Sequence, residues 1–500
     1  MQGDPFLGPA LKKGTRTAQS EARKKGAFTP KHGIHDWYNG MISLEAVRAG
    51  LFDEIIDVAH GLSTDGFEAW RQRGSQGWAN IVTVLNLSPG KRTQNDFQTV
   101  VSVTLGPKQP TDLVSFLNPL VEELNFLARG ISGVRAFGSP NSVTLRANVV
   151  QITGDTPAIE KLLNFSGHND FSLGRNREYH GYYHAPSKQT FFHPTDPTDP
   201  SAVRFYVDNC TAPRRTADSI SRDASVVEEA KSTGRSLAYQ HALSKKSGVK
   251  GHSLLFVPSE AMRRMYPHLV HFWSIIPAAA AYNIMHLLLQ NVAPHPWRLF
   301  SGLVPVAGEA EEDYVMPKAC VAIIGREIAC ARRTVPRARA RALRNNYLHH
   351  RSYKAADWMY WLHSSAEVLL VGRNPEFSYD IFMSQCRACR LLMRPTGLTP
   401  AELAAVDADL KHFVRGYYAS IYRGTWERLP LCWSVIAAIL DIVENVRACW
   451  PAWVSWQFPT ERKIGELGTL IHSRSKPSEN LSVSLHRRYQ AELVPSFGNS

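Results

Sequence analysis

Apolar and polar positions change rhythm twice along this 500-residue chain. Between Ile55 and Thr153 the apolar residues come in short, β-branched runs of the kind that form strands. Ile55 to Ala59 leads into Leu62-Ser63-Thr64-Asp65-Gly66-Phe67, which predicts a strand ending at an Asp-Gly turn. Ile81 to Leu87, Thr99 to Leu105 and Val143 to Thr153 predict three more. Between the last two, Leu113, Phe116, Leu117, Leu120, Val121, Leu124 and Leu127 recur at helical spacing. Three strands, a helix and a further strand suit a mixed sheet with helices packed on it. Ahead of this block, residues 36–55 have the pattern of an amphipathic helix. Behind it, residues 160–225 lose periodicity and are rich in His, Pro, Asn, Tyr and Arg. From about 226 to 450 the pattern is helical almost throughout, and Phe458-Pro459 opens a last amphipathic helix from Thr460 to about Arg474.

The expected organisation follows from these shifts. Residues 1–50 form a basic segment and a helix, and 51–158 the first part of an α/β core. An irregular His/Pro-rich segment occupies 159–225, a helical insertion 226–450, and the last part of the core 451–500. Charge adds a partner to this picture. Fifty-seven Lys and Arg against 44 Asp and Glu leave a formal charge of +13, which suits a polyanion such as nucleic acid. Seven scattered cysteines do not make a secreted disulfide framework. Cys386 and Cys389 form a CxxC inside a helical run, and one such pair supplies only half of a tetrahedral metal site. The longest stretch without a charged residue, Met265 to Trp297, is broken by Pro267, Pro277, Asn283 and Gln290, so no membrane span is expected. Lys12-Lys13 and Arg23-Lys24-Lys25 have the look of a bipartite nuclear signal, a pattern equally at home on a solvated basic face.

Three acids stand out by position. Asp65 falls at the end of the first strand, Asp155 just past the fourth, and Glu461 in the first turn of the late helix. Strand ends of an open sheet bring side chains to a common crevice. Carboxylates gathered there repel one another unless divalent cations share the site, and magnesium favours such oxygen ligands. Ile464, Leu467 and Ile471 follow Glu461 at helical spacing, which places the glutamate on the inward stripe. Each acid also has a structural reading: Asp65 as a turn former, Asp155 as a helix N-cap before Thr-Pro, Glu461 as a partner of the helix dipole.

A resemblance bears on that choice. The runs LSTDGFEAWRQRGSQGW (62–78), LGPKQPTDLVSFLNPLVEEL (105–124) and ANVVQITGDTPAIEKLLNFSGHN (147–169) resemble the DDE core of CACTA-type (En/Spm-like) transposases, the fungal branch in particular. So do YNIMHLLLQNV (282–292) and WQFPTERKIGELGTLIHSR (456–474), in the same order. The resemblance implies an RNase H-like mixed sheet interrupted by a large all-α insertion. It implies Asp65, Asp155 and Glu461 as catalytic residues holding two magnesium or manganese ions. Asn283 and His286 fall at an accessory motif on the insertion, where His286 would contact the scissile phosphate or the flanking strand. The implied function is metal-dependent DNA cleavage and strand transfer in cut-and-paste transposition. The partners would be transposon ends and target DNA, with a homo-oligomer as a further option, in the nucleus.

The chain also departs from that family. A cysteine-rich knuckle usually follows the second Asp, whereas GHNDFSLGRNREYHGYYH (167–184) has no cysteine. His168, His180 and His184 do not complete a familiar site, so no zinc is expected. The family carries an acid where this chain has Asn283, which removes a charge and leads to the expectation of a weak or inactive copy. Phosphate contacts are expected from Arg71 and Arg73, from Lys91 and Arg92, and from the cluster Arg332, Arg333, Arg337, Arg339, Arg341 and Arg344. The alternatives are a non-catalytic DNA-binding relic and a helical interaction scaffold without a sheet.

Overall fold

A computed structural model describes residues 7–23, 36–68, 76–106, 113–136, 138–167, 172–173, 175–192, 213–253, 255, 258–304, 312–331, 342–449, 451–473 and 475–497. Helix α1 (Leu7–Arg23) and the short α2 (Met41–Arg48) precede the sheet. Strands β1 (Val58–Glu68), β2 (Gln76–Val84) and β3 (Gln98–Gly106) form an antiparallel meander, with the single-turn α3 (Pro89–Arg92) between the last two. Helix α4 (Leu113–Arg129) follows, then the small hairpin β4 (Ile131–Val134) and β5 (Val143–Leu145), then β6 (Ala147–Thr153). β6 returns parallel to β1, so the sheet order is β3-β2-β1-β6. The architecture is mixed α/β, and the sheet excludes a purely helical scaffold.

Alternation along the strands assigns the two faces. Leu62, Trp78 and Val82 point to one side, where Leu117, Leu120, Val121 and Leu124 of α4 cover them. Ala79 and Ile81 point to the other side and meet Ile464 and Leu467 of the late helix Phe458–Leu470, with Phe67 beside them. The helix Pro477–Phe497 closes the free edge of β3, where the Val100 N–H donates to the Tyr489 hydroxyl at 2.8 Å. At the opposite edge the Ile152 N–H donates to the Ala279 carbonyl at 3.0 Å, so the segment before Tyr282 lines β6.

Two boundaries differ from the sequence expectation. The Asp65-Gly66 pair does not end β1: the strand runs on to Glu68, with Asp65 opposite Ala79 and Gly66 opposite Trp78. Pairing with β2 overrides the local turn preference. The helical part is not a single packing unit either. Ile220, Ala224, Val249 and the run from Tyr266 to Ala281 belong to the core under the sheet, whereas Tyr282 to Ala452 build a second core. Cys386 and Cys389 lie fully buried in that second core. Burial pushes both thiols up, Cys389 to about 12, so they are inert apolar packing groups.

Candidate active site

The parallel register explains where Asp65 stands. The last pair between β1 and β6 is Ser63 with Thr153, so β1 overshoots its neighbour by several residues. Asp65 therefore lies beside the end of β6, on the sheet face that carries Phe67 and the late helix. Gly154 and Asp155 follow β6 directly. Asp155 N-caps α5 (Thr156–Leu162), its Oδ1 accepting the Ala158 N–H at 2.7 Å. The structural reading of Asp155 is thus correct, and it leaves the second carboxylate oxygen available. Asp65, Gly66, Phe67, Gln76, Trp78, Asp155 and Pro157 line one open cleft of about 230 Å³.

Two further groups reach Asp65 from distant parts of the chain. Ligand atoms of Asp65, His286 and Glu461 all lie within 4.8 Å of one another. His286 sits in a π-helical turn, Met285–Val292, whose wide geometry recurs at functional sites. Glu461 sits in the first turn of its helix, which packs on β1. Its side chain is 49% exposed, so it stands at the rim of the apolar stripe and not on it, unlike the inward position expected from spacing. Asp155 is not part of the close trio but faces Asp65 across the cleft.

The charges respond to this geometry. Burial, then the charge of Asp155, pushes the Asp65 carboxyl up to about 7; Glu461 adds to this, while His286 and the Gly66 N–H oppose it. Glu461 is instead held below the usual carboxylate range, chiefly by its hydrogen bond with His286 (Nε2 to Oε1, 3.2 Å). For His286, burial pulls the pKa down, but the bond to Glu461 and the charges of Asp65 and Asp155 outweigh it and the net shift is upward.

An amide chain backs the imidazole. Gln457 Nε2 donates to the Thr64 carbonyl at 3.1 Å, one residue from Asp65. Gln457 Oε1 accepts from Asn283 Nδ2, which also meets His286 Nδ1 at 2.9 Å. Asn283 Oδ1 accepts the Met285 N–H at 3.0 Å. Asn283 is thus a fully engaged group and no idle substitution. Spacing alone missed Gln457, although its place one turn ahead of Glu461 was a usable signal.

Arg175 is the second residue the sequence did not reveal. It is 1% exposed, and its guanidinium donates to the Ala281 carbonyl at 3.0 Å, the Ala280 carbonyl at 3.4 Å and the Asp155 carbonyl at 3.2 Å. It also lies 4.6 Å from the Tyr282 ring centre. One buried cation therefore joins the loop after β6, the carbonyl of Asp155 and the segment that leads to Asn283. This staple occupies the region where a metal knuckle was expected to be lost. His184 bonds Ser187 (Nδ1 to Oγ, 2.9 Å) and packs on Phe191, away from the acids, while His168 and the His180 side chain lie outside the described residues.

Of the expected phosphate contacts, Arg92 needs correction. It is 2% exposed, with its guanidinium bound to Asp36 and to the Leu85 and Leu87 carbonyls, so it is an internal tie and not a surface cation. Lys91 is partly exposed and Arg344 exposed. Arg71, Arg73, Arg332, Arg333, Arg337, Arg339 and Arg341 lie outside the described residues. Two other lysines stand closer to the acids. Lys161, on α5, places its Nζ 5.0 Å from the Trp78 ring centre, beside the cleft. Lys354 precedes a helix, Ala355–Tyr360, that packs on the turn bearing His286. Both are exposed; Lys161 feels the charge of Asp155 and Lys354 that of Glu461.

No helix among the described residues is long and apolar enough to cross a membrane. No curated protein matches the chain. Residues 43–175 match the transposase family tnp2, a stretch that opens in α2, contains Asp65 and Asp155 and ends at Arg175. Over that stretch the chain is similar to a transposase family.

Proposed function

We propose that this chain is a DDE transposase of the CACTA type, on an RNase H-like sheet, that cleaves DNA at transposon ends and joins them to a target. The observation that carries the reading is the meeting of Asp65, His286 and Glu461, which lie far apart in sequence, within 4.8 Å beside Asp155. The donor set fits magnesium or manganese: the carboxylates are crowded enough to raise Asp65, and a divalent cation relieves that repulsion. Asp65 and Glu461, with the outer oxygen of Asp155, would hold the ions. When bound, two such ions would supply the activation of a water or hydroxyl and the charge stabilisation that an in-line phosphoryl displacement needs. The protein's own contribution is placement. The β1–β2 ladder fixes Asp65, the α5 cap fixes Asp155, and His286 orients Glu461. Lys161, over the Trp78 ring beside the cleft, and Lys354, near Glu461, suit phosphates close to a scissile bond. A genomic substrate fits the nucleus, and Lys12-Lys13 with the Arg23-Lys24-Lys25 run has the pattern of a bipartite import signal.

The test is cleavage of DNA carrying candidate transposon ends, with magnesium or manganese. The unaltered chain nicks the DNA only with metal, and Asp65→Asn loses on the order of a hundredfold or more, the scale of a misplaced reacting group. DNA binding without any metal-dependent nicking would favour the non-catalytic relic.

A further inference from the structure

Three candidates for a metal ligand meet in this site, and hydrogen bonding sorts them. We infer that His286 is not a metal ligand but a fixed Nε2–H donor for an anionic oxygen, held in that tautomer by Asn283 and Gln457. The inference rests on the transposase reading above and assigns roles within that site.

The argument starts from two backbone groups whose polarity cannot change. The Thr64 carbonyl accepts only, so the Gln457 atom 3.1 Å away is its amide nitrogen. Gln457 therefore turns its oxygen to Asn283. The Met285 N–H donates only, so the Asn283 atom 3.0 Å away is its oxygen. Both constraints give the same orientation of Asn283, with its NH₂ toward Gln457 Oε1 and toward His286 Nδ1. The two hydrogens of that NH₂ serve the two acceptors. His286 Nδ1 thus accepts, and the ring proton of the neutral imidazole resides on Nε2.

Nε2 is the atom that faces the acids, 3.2 Å from Glu461 Oε1. A neutral histidine that binds a metal through Nε2 must carry its proton on Nδ1 and donate it to an acceptor behind the ring. Here the group behind the ring is a donor, so metal ligation would set two N–H groups face to face. What remains is an N–H aimed into the site. Without DNA it serves Glu461, and with DNA a non-bridging phosphate oxygen at the same distance is an equivalent acceptor. Gln457 and Asn283 act through the ring and are positioning residues. They also tie the tautomer to the Thr64 carbonyl in β1, next to Asp65, so the donor and the buried acid share one backbone anchor.

Two measurements on the full-length chain test this. Ring ¹⁵N shifts of His286 in histidine-labelled, metal-free protein report the tautomer, assigned by the signal lost in His286→Gln. The expected result is a protonated Nε2 and an unprotonated Nδ1; a protonated Nδ1 would overturn the inference. Manganese affinity, followed by titration, gives the second readout. His286→Gln, whose side-chain amide keeps an N–H donor for Glu461, should bind Mn²⁺ within about twofold of the unaltered chain, whereas His286→Ala, which leaves Glu461 without that partner, should lose about 10–100-fold, the usual cost of an outer-shell partner. A tenfold or larger loss in both variants would make His286 a ligand and overturn the inference. Asp65→Asn is the control that separates the two levels. If it leaves Mn²⁺ affinity unchanged, the two-metal reading fails, while the ring shifts still decide the tautomer.

Discussion

Asp65 and Glu461 approach the same imidazole, yet their surroundings differ in almost every respect. Asp65 is 8% exposed, sits inside a strand ladder opposite Ala79, and is pushed up to about 7. Glu461 is half exposed, sits in the first turn of a helix, and is held below the usual carboxylate range by His286. The sheet side of the site thus provides rigid placement at an electrostatic cost. The helical side provides hydrogen bonds that favour the charged carboxylate. The contrast teaches a division of labour. Backbone pairing decides where the first acid is, and side-chain bonding decides the protonation state of the last. Perturbing one side should therefore change stability with pH, and perturbing the other should change hydrogen-bond order.

The largest effect is expected at Asp65 in metal-free protein. Its native pKa, about 7, lies above the ordinary 3.8, so between those values the folded state holds a proton that the unfolded state has released. Stability from this group is complete below about pH 4 and is lost as pH rises towards 7. Three units correspond to about 4 kcal/mol at most. Asp57, raised to about 6, and Glu160 and Asp441, each raised to about 7, act in the same direction, all chiefly through burial. Urea unfolding at several pH values should show stability falling from pH 4 to 8. Asp65→Asn should flatten that fall by roughly 3 kcal/mol, and Mn²⁺ should flatten it in the unaltered chain. Parallel curves for the two proteins would show that Asp65 carries no buried charge.

Arg175 bridges the two sides, and its loss should be next in size. Arg175→Met keeps most of the volume but leaves the buried carbonyls of Ala280 and Ala281 and the part-buried carbonyl of Asp155 without this donor. Unmet buried acceptors cost about 1–3 kcal/mol each, while removing a buried cation returns part of that. The net expectation is about 2–3 kcal/mol of destabilisation. Metal-dependent nicking should fall further than stability explains, because Asp155 loses its backbone anchor. A change in the urea midpoint equivalent to less than about 0.5 kcal/mol would remove the staple from this account.

The four strands and α4 were legible because β-branched runs and a helical stripe are local signals. Asp155 was legible as the residue after a strand because Gly154 and Thr-Pro mark the end of β6, whereas Gly66 suggested a strand end at Asp65 that pairing with β2 carries on to Glu68. The exposure of Glu461 was not, since periodicity locates a stripe but not its rim. Arg92 looked like a loop cation, and only the fold brings Asp36 and two carbonyls around it. Arg175 left no local mark and Gln457 only its place one turn ahead of Glu461, because their partners at 280–281 and at 64 and 283 are distant in sequence. The division of the helices between two cores was hidden for the same reason.

Asn283→Asp separates the sequence expectation from the structure. An acid at this position was expected to restore charge and activity. In the structure Asn283 donates to Gln457 Oε1, and Gln457 cannot turn round without setting that oxygen against the Thr64 carbonyl. An aspartate would face an acceptor with an acceptor. The expected cost is about 1–2 kcal/mol, read from urea unfolding at pH 8, with no gain in nicking. A variant of equal stability that cleaves better would show that the amide chain is not what sets the histidine.

The smallest expected effect concerns the lysines, and it compares the two sides directly. Lys161 extends from α5 on the sheet side, over Trp78, and Lys354 lies on the helical side, close enough to help hold Glu461 ionised. If a DNA strand runs from one to the other across the acids, each lysine neutralises about one phosphate and releases about one counterion. The slope of log affinity against log salt should then fall by about 0.7–0.9 for Lys161→Ala and by a similar amount for Lys354→Ala. The double variant should show the sum, because the two sites share no partner. Neither change should alter thermal stability appreciably, since both side chains are exposed and solvent screens their attraction to Asp155 and Glu461. Arg92→Ala gives the opposite signature: its internal bonds to Asp36 and two carbonyls predict a loss of stability and an unchanged slope. A slope reduced by Lys161→Ala alone would confine the strand to the sheet side. An unchanged slope in the double variant would move the DNA path off this face of the site.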